Sequence, residues 1–185
     1  SCQELNLPWT HTPGMFGNEV ADIAIAYLLG LARHTYQINQ SVRQGEWLKI
    51  SGNSLTGKKV ALIGLGDIGR CIAQRLFGFG VDLWVSDPGF SKDDTGNFIC
   101  NYASLDMEAW NKKLTLSTLD NVLSESDFII ISCGLNQHTY HMINREKILL
   151  AHKGVRIINV ARGKILQEKE NIRKMIFLFS DRIFK

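Results

Sequence analysis

The sequence predicts an α/β fold, a doubly wound parallel sheet, incomplete and preceded by a helical arm. Three observations carry that expectation. Short apolar, β-rich runs alternate with helical segments from Lys59 onward. A GxGxxG hexapeptide stands between the first of those runs and a helix, and an acidic residue closes the second run. The 185 residues suit one domain plus part of another, at roughly 150 residues per domain. With 45% hydrophobic and 21% charged residues, disordered and fibrous classes are excluded. A net charge of +3 is too small and dispersed to point to nucleic acid or an anionic membrane. Cys2, Cys71, Cys100 and Cys133 lie far apart without a CxxC pair, which fits reduced thiols and a cytoplasmic setting.

The elements follow in order. Pro13-Gly14 breaks the chain, and Asn18 is expected to cap a helix running to about Thr35, with Glu19 and Asp22 in its first turns. Val20–Ala32 is the most apolar stretch but falls short of the roughly 20 residues of a membrane span, so it reads as a helix packed on several sides. A second amphipathic stretch ends near Gly45, and the Gly52–Gly57 turns place a boundary near Ser54. Strands are expected at Val60–Ile63, Val81–Ser86, Phe128–Ser132 and Arg156–Val160, with a helix to about Phe77 after the first. Leu114–Leu116 is preferred over Phe98–Cys100 as the third strand, because a short helix beginning at Leu119 then leads into Asp127. The opening at Ser1, without Met or a leader, reads as a cut or processed start.

The loop Gly64-Leu65-Gly66-Asp67-Ile68-Gly69 points to a dinucleotide. Gly64 permits the tight turn, Gly66 lets the backbone approach a pyrophosphate, and Gly69 lets the helix pack on the strand. The N–H groups of Asp67 and Ile68 then face the phosphates at a helix N-terminus. Asp87 ends the second strand 18 positions after Gly69, where a carboxylate accepts from both adenine-ribose hydroxyls and repels a 2′-phosphate. NAD is therefore favoured over NADP. Asp87 also suits an Asx turn before Pro88-Gly89, which is compatible with binding.

With these residues placed, the chain resembles the D-isomer-specific 2-hydroxyacid dehydrogenases, the family of D-3-phosphoglycerate dehydrogenase and the glyoxylate/hydroxypyruvate reductases. The resemblance rests on Thr12-Pro13-Gly14 with Val20-Ala21-Asp22, on Gly45-Glu46-Trp47, and on Leu55–Val60 running into GLGDIG. It continues through Asp87-Pro88, Ser126-Asp127-Phe128, Ile143-Asn144 and Ile158-Asn159-Val160-Ala161-Arg162-Gly163, about residues 5 to 168 in all. It implies a Rossmann-type NAD-binding domain over 54–168. Residues 1–53 would be the end of a substrate domain and an interdomain helical arm, and 169–185 an unaligned tail. It further implies hydride transfer between a nicotinamide cofactor and a small 2-hydroxy or 2-keto acid. By the same resemblance Cys133, Gly134, Thr139, Val160, Ala161 and Arg162 join the cofactor-binding residues, Arg162 grips the substrate carboxylate, and the helix over 19–35 forms a homodimer interface.

Two departures stand out. Ser132-Cys133-Gly134-Leu135-Asn136 replaces the family's HxPLT, leaving contact with the nicotinamide ribose to the backbone of Cys133 and Gly134. After Glu168 the sequence no longer aligns, and the family's catalytic Glu and His would fall beyond it, so this polypeptide is expected to be inactive alone. His138 and His141, spaced H-x-x-H, lack a third ligand or a general-base Glu, so no metal is expected. Cys71, Trp47 and Trp84 read as packing residues, and Ile172, Ile176 and Phe179 as a helical stripe that either docks on the sheet, the preferred reading, or forms an exposed, aggregation-prone end. A noncatalytic NAD-responsive protein of corepressor type is the rival reading. A methyltransferase of similar fold is a weaker one, because the Asn159–Gly163 motif with Arg162 argues against it.

Overall fold

The computed structural model describes residues 8, 10, 14–95, 98–100, 110, 113–167 and 176–179. Helix α1 (Gly17–Arg33) and helix α2 (Thr35–Arg43) form the arm. Then come β1 (Lys59–Ile63), α3 (Asp67–Leu76), β2 (Asp82–Ser86), β3 (Phe90–Lys92), β4 (Phe98–Cys100), β5 (Thr115–Leu116) and α4 (Leu119–Glu125). The chain continues through β6 (Phe128–Ile131), α5 (Arg145–Leu150), β7 (Arg156–Asn159), a short 3-10 turn at Gly163–Ile165 and β8 (Ile176–Phe179).

Six strands pair in the order β5-β2-β1-β6-β7-β8, every pairing parallel. The apolar runs are continuous because both sheet faces are covered. Val60, Leu62, Leu83, Val85, Phe128, Ile130 and Ile158 share one core with α1 and α3. Ala61, Ile63, Ile129, Ile131 and Ile157 share the other with Val122 and Leu123 of α4. This is the period-two alternation of a strand buried on both sides. Each Leu, Ile or Val so buried contributes about 1.5–3 kcal/mol relative to exposure.

The predicted doubly wound sheet is therefore present, and its third strand is the preferred one, β5 on β2. The alternative segment, Phe98–Cys100, instead pairs antiparallel with β3 as a separate hairpin. Three local expectations are corrected. Asn18 does not cap α1: the cap position lies two residues earlier, at Phe16, without a side-chain cap, and the Asn18 amide oxygen accepts from Arg75 instead. The helix also ends before Thr35, because His34 turns left-handed (φ 57°) and starts α2 at once. Trp47 is 81% exposed, so it packs no core of this chain.

The tail differs most. Ile176–Phe179 forms strand β8 in register with Arg156–Asn159, not a helix, so the sheet gains an edge strand that the sequence did not announce. Ile172 lies outside the described residues. Among the described residues no helix is long and apolar enough to cross a membrane.

Candidate functional site

The carboxyl ends of β1, β6 and β7 open onto a cavity of about 620 Å³, where ligands gather in open parallel sheets. Gly66, Asp67 and Ile68 line it on one side, Cys133, Gly134 and Leu135 on another, and Val160, Ala161 and Arg162 on a third. The segment Gly14–Gly17 at the start of α1 completes the wall.

The three glycines of the loop stand in three different settings. Gly64 has φ +95°, and a Cβ there would lie 2.7 Å from the Cys133 nitrogen. A Cβ on Gly69 would meet the Gly64 carbonyl oxygen at 2.1 Å, so any side chain would push α3 off the loop. Gly66 has nothing within 4 Å of a Cβ position, and this bare backbone faces the cavity beside the N-terminus of α3. A pyrophosphate fits that arrangement: close backbone approach is open, and first-turn N–H groups point outward where the helix dipole favours negative charge.

Half-buried side chains hold this frame. Ser132 Oγ donates to the Gly64 carbonyl at 2.8 Å, tying β6 to the loop. Asp87 accepts from the Leu65 N–H at 2.6 Å and from the Gly89 N–H at 2.7 Å. The carboxylate thus closes the expected turn and fixes the loop; each oxygen keeps a further lone pair for a ribose hydroxyl. Asp87 stands behind the loop rather than in the cavity lining.

Asn159 stood in the sequence motif without a role of its own. It is only 2% exposed; its Oδ1 accepts from Ala161 N at 2.9 Å, and its Nδ2 donates to the Arg162 carbonyl at 2.9 Å. A polar residue ending an otherwise apolar strand was the available signal. The clamp sets the path of residues 159–162 and presents Arg162, whose Nη1 donates to the Ala161 carbonyl at 2.9 Å. The arm's contribution, Met15 and Phe16, was also missed, because it depends on how α1 packs.

The 132–139 loop that departs from the family pattern makes a turn of its own. Asn136 Oδ1 accepts from the N–H groups of His138 and Thr139, and Thr139 Oγ1 donates to the Gly134 carbonyl at 2.7 Å. Thr139, expected to touch cofactor, is outside the cavity lining and shapes the Gly134 backbone instead. His138 is exposed on this turn, while His141 is left-handed (φ 51°) and stacks on Tyr140. Neither lines the cavity, and the described residues hold no cluster of metal-ligating side chains. Burial pushes the Cys133 thiol up to about 11, with the Asp87 charge adding to the shift, so the cavity wall carries a neutral S–H.

Residues 25–175 match the D-isomer specific 2-hydroxyacid dehydrogenase, NAD binding domain. The chain is 32% identical over 177 residues to a glyoxylate reductase from Pyrococcus horikoshii, covering 90% of this chain and 48% of that protein. It is 34% identical over 169 residues to a hydroxypyruvate reductase from Thermotoga maritima, covering 90% and 50%. A D-lactate dehydrogenase from Aquifex aeolicus, solved with NAD and lactic acid, superposes with a TM-score of 0.74 at 28% identity, covering 90% of this chain and 46% of that one. The chain thus spans about half the length of the curated relatives it matches. A parallel sheet with a GxGxxG turn at its carboxyl edge, an Asn-clamped Arg162 and a family match over most of its length make this chain a member of the D-isomer-specific 2-hydroxyacid dehydrogenases, in their NAD-binding domain.

Proposed function

We propose that this chain is the cofactor-binding part of an NAD-dependent oxidoreductase acting on a small D-2-hydroxy or 2-keto acid. The observation that carries the reading is the convergence of the bare Gly66 backbone, the first turn of α3 and Arg162 on one cavity. When bound, NAD supplies or accepts the hydride. The chain's own residues bind and orient: the Gly66–Ile68 backbone takes the pyrophosphate, and Asp87 takes the adenine-ribose hydroxyls while discriminating against a 2′-phosphate. The backbone of Cys133 and Gly134, shaped by Thr139, lies along the nicotinamide ribose, with Val160 and Ala161 opposite. Arg162, permanently charged and fork-shaped, holds the substrate carboxylate.

Residues 1–53 serve as the arm and the end of a substrate domain, 54–168 as the NAD-binding domain, and 169–185 as a tail that supplies the edge strand. The arm exposes Ile23, Tyr36, Val42 and Trp47, an apolar set that suits a homodimer contact, which sedimentation velocity would test. Cys71 and Cys133 are both free, which fits a cytoplasmic setting.

The 185-residue polypeptide alone is expected not to turn over substrate. His138 and His141 stand outside the cavity lining, and a positioned proton donor is typically worth about 10² to 10⁴ in rate. The test follows NADH oxidation with glyoxylate and hydroxypyruvate. Binding of NADH without turnover supports the reading; turnover abolished by His138→Ala or His141→Ala overturns the assignment of those residues.

A further inference from the structure

The arm helix α1 packs along α3, and the contacts of its first turns include some that the cofactor reading does not use. Gly17 sits under α3 so closely that a Cβ there would lie 3.0 Å from Cys71 Sγ and 3.5 Å from the Asp67 carbonyl oxygen. One turn further along α3, Arg75 spreads its guanidinium over the first turns of α1. Its Nε donates to Asp22 Oδ1 at 2.7 Å, its Nη2 to the Asn18 carbonyl at 3.3 Å, and both Nη atoms approach Asn18 Oδ1 at 3.4 Å. Nη1 also donates to the Cys71 carbonyl at 3.0 Å, which fixes the guanidinium to its own helix. The α1 start has no side-chain cap of its own, and Phe16, immediately before it, is 61% exposed at the cavity rim.

We propose that Arg75 is a positioning residue for cofactor binding: it holds the first turn of α1 on α3 so that Gly14–Gly17 stand as the fourth wall of the cavity. The inference rests on the cofactor reading above. Arg75 is outside the cavity lining and acts only through Asn18 and Asp22. The Asp22 carboxylate is 71% exposed, and exposed ion pairs contribute little to global stability. The tether therefore governs the docking of one turn rather than the survival of the fold. If the turn is docked in only a fraction of molecules, apparent affinity falls to that fraction of its full value.

The experiment measures NADH dissociation constants by fluorescence titration of the 185-residue chain, alongside thermal midpoints. It also measures the alkylation rate of Cys71, which lies against Gly17, by peptide-resolved mass spectrometry. Arg75→Met is expected to raise Kd about 3- to 10-fold, corresponding to a docked fraction of about one-third to one-tenth. It should speed Cys71 alkylation and barely move the thermal midpoint. Arg75→Lys should fall between, keeping the charge but losing the fork. Gly17→Ala should also raise Kd, and Cys71→Ala in that background should restore it by removing the sulfur that the new methyl meets. Binding by the parent chain that Arg75→Met leaves unchanged, or a Kd rise without faster Cys71 alkylation, would overturn the inference alone. No binding by the parent chain would overturn the cofactor reading itself.

Discussion

The two sides of the cavity are held by opposite means. On the sheet side, the glycine loop and residues 159–162 are fixed by groups inside the protein: Gly69 against the Gly64 carbonyl, Ser132 on the same carbonyl, and Asn159 on both Ala161 and Arg162. On the arm side, Gly14–Gly17 lead into a helix that is buried on α3 through Gly17 and Ala21, and the polar ties of its first turn run from the half-buried Arg75 to Asn18 and to an exposed Asp22 carboxylate. Buried polar groups carry the full cost of desolvation if a partner is removed, whereas exposed pairs carry little. The polar ties of the sheet side are thus built into the fold, whereas those of the first turn of α1 end on an exposed carboxylate.

That contrast can be broken most severely at Gly69. Gly69→Ala puts a methyl 2.1 Å from a backbone oxygen, which no rotamer relieves, so a loss of about 3 kcal/mol or more is expected in urea denaturation, together with loss of NADH binding. A result near zero would mean that the loop is not pinned. Asn159→Ala comes next. It strands the Ala161 N–H and the Arg162 carbonyl, and about 2–3 kcal/mol should disappear from the same measurement.

Cys133 gives the smallest effect and sharpens the comparison by pH. Its thiol is raised from 9.0 to about 11 by burial, so folding favours the protonated form. The contribution is complete below pH 9 and is lost as pH climbs through about 11, because the unfolded thiol ionises first. Across pH 9 to 11 the parent chain should therefore lose more stability than Cys133→Ala, and parallel curves would contradict a buried thiol.

The sequence was most legible where local pattern and tertiary role coincide. The β1–α3 junction is one such place: a continuously apolar buried strand, three glycines and Asp87 all sit within one supersecondary unit. Legibility failed where a distant partner decides. Asn18 has the chemistry of a cap, but Arg75, far along the chain, claims its amide. Thr139 lies near the site in sequence, yet its hydroxyl is taken by the Gly134 carbonyl. Ile176 and Phe179 fit a helical spacing, and only pairing with β7 makes them a strand. His34 adopts a left-handed geometry more often found at Gly or Asn, so no residue type marked the break between α1 and α2.

We propose that the sheet side of the cavity binds NAD and that Asp87 sets the preference over NADP. Isothermal calorimetry of the unmodified chain with NADH and with NADPH tests it most directly. A single site with NADH bound more tightly is expected, and in Asp87→Ala a loss of that preference along with weaker NADH binding, because the Leu65 N–H loses its acceptor. Equal or tighter binding of NADPH by the parent chain would contradict it.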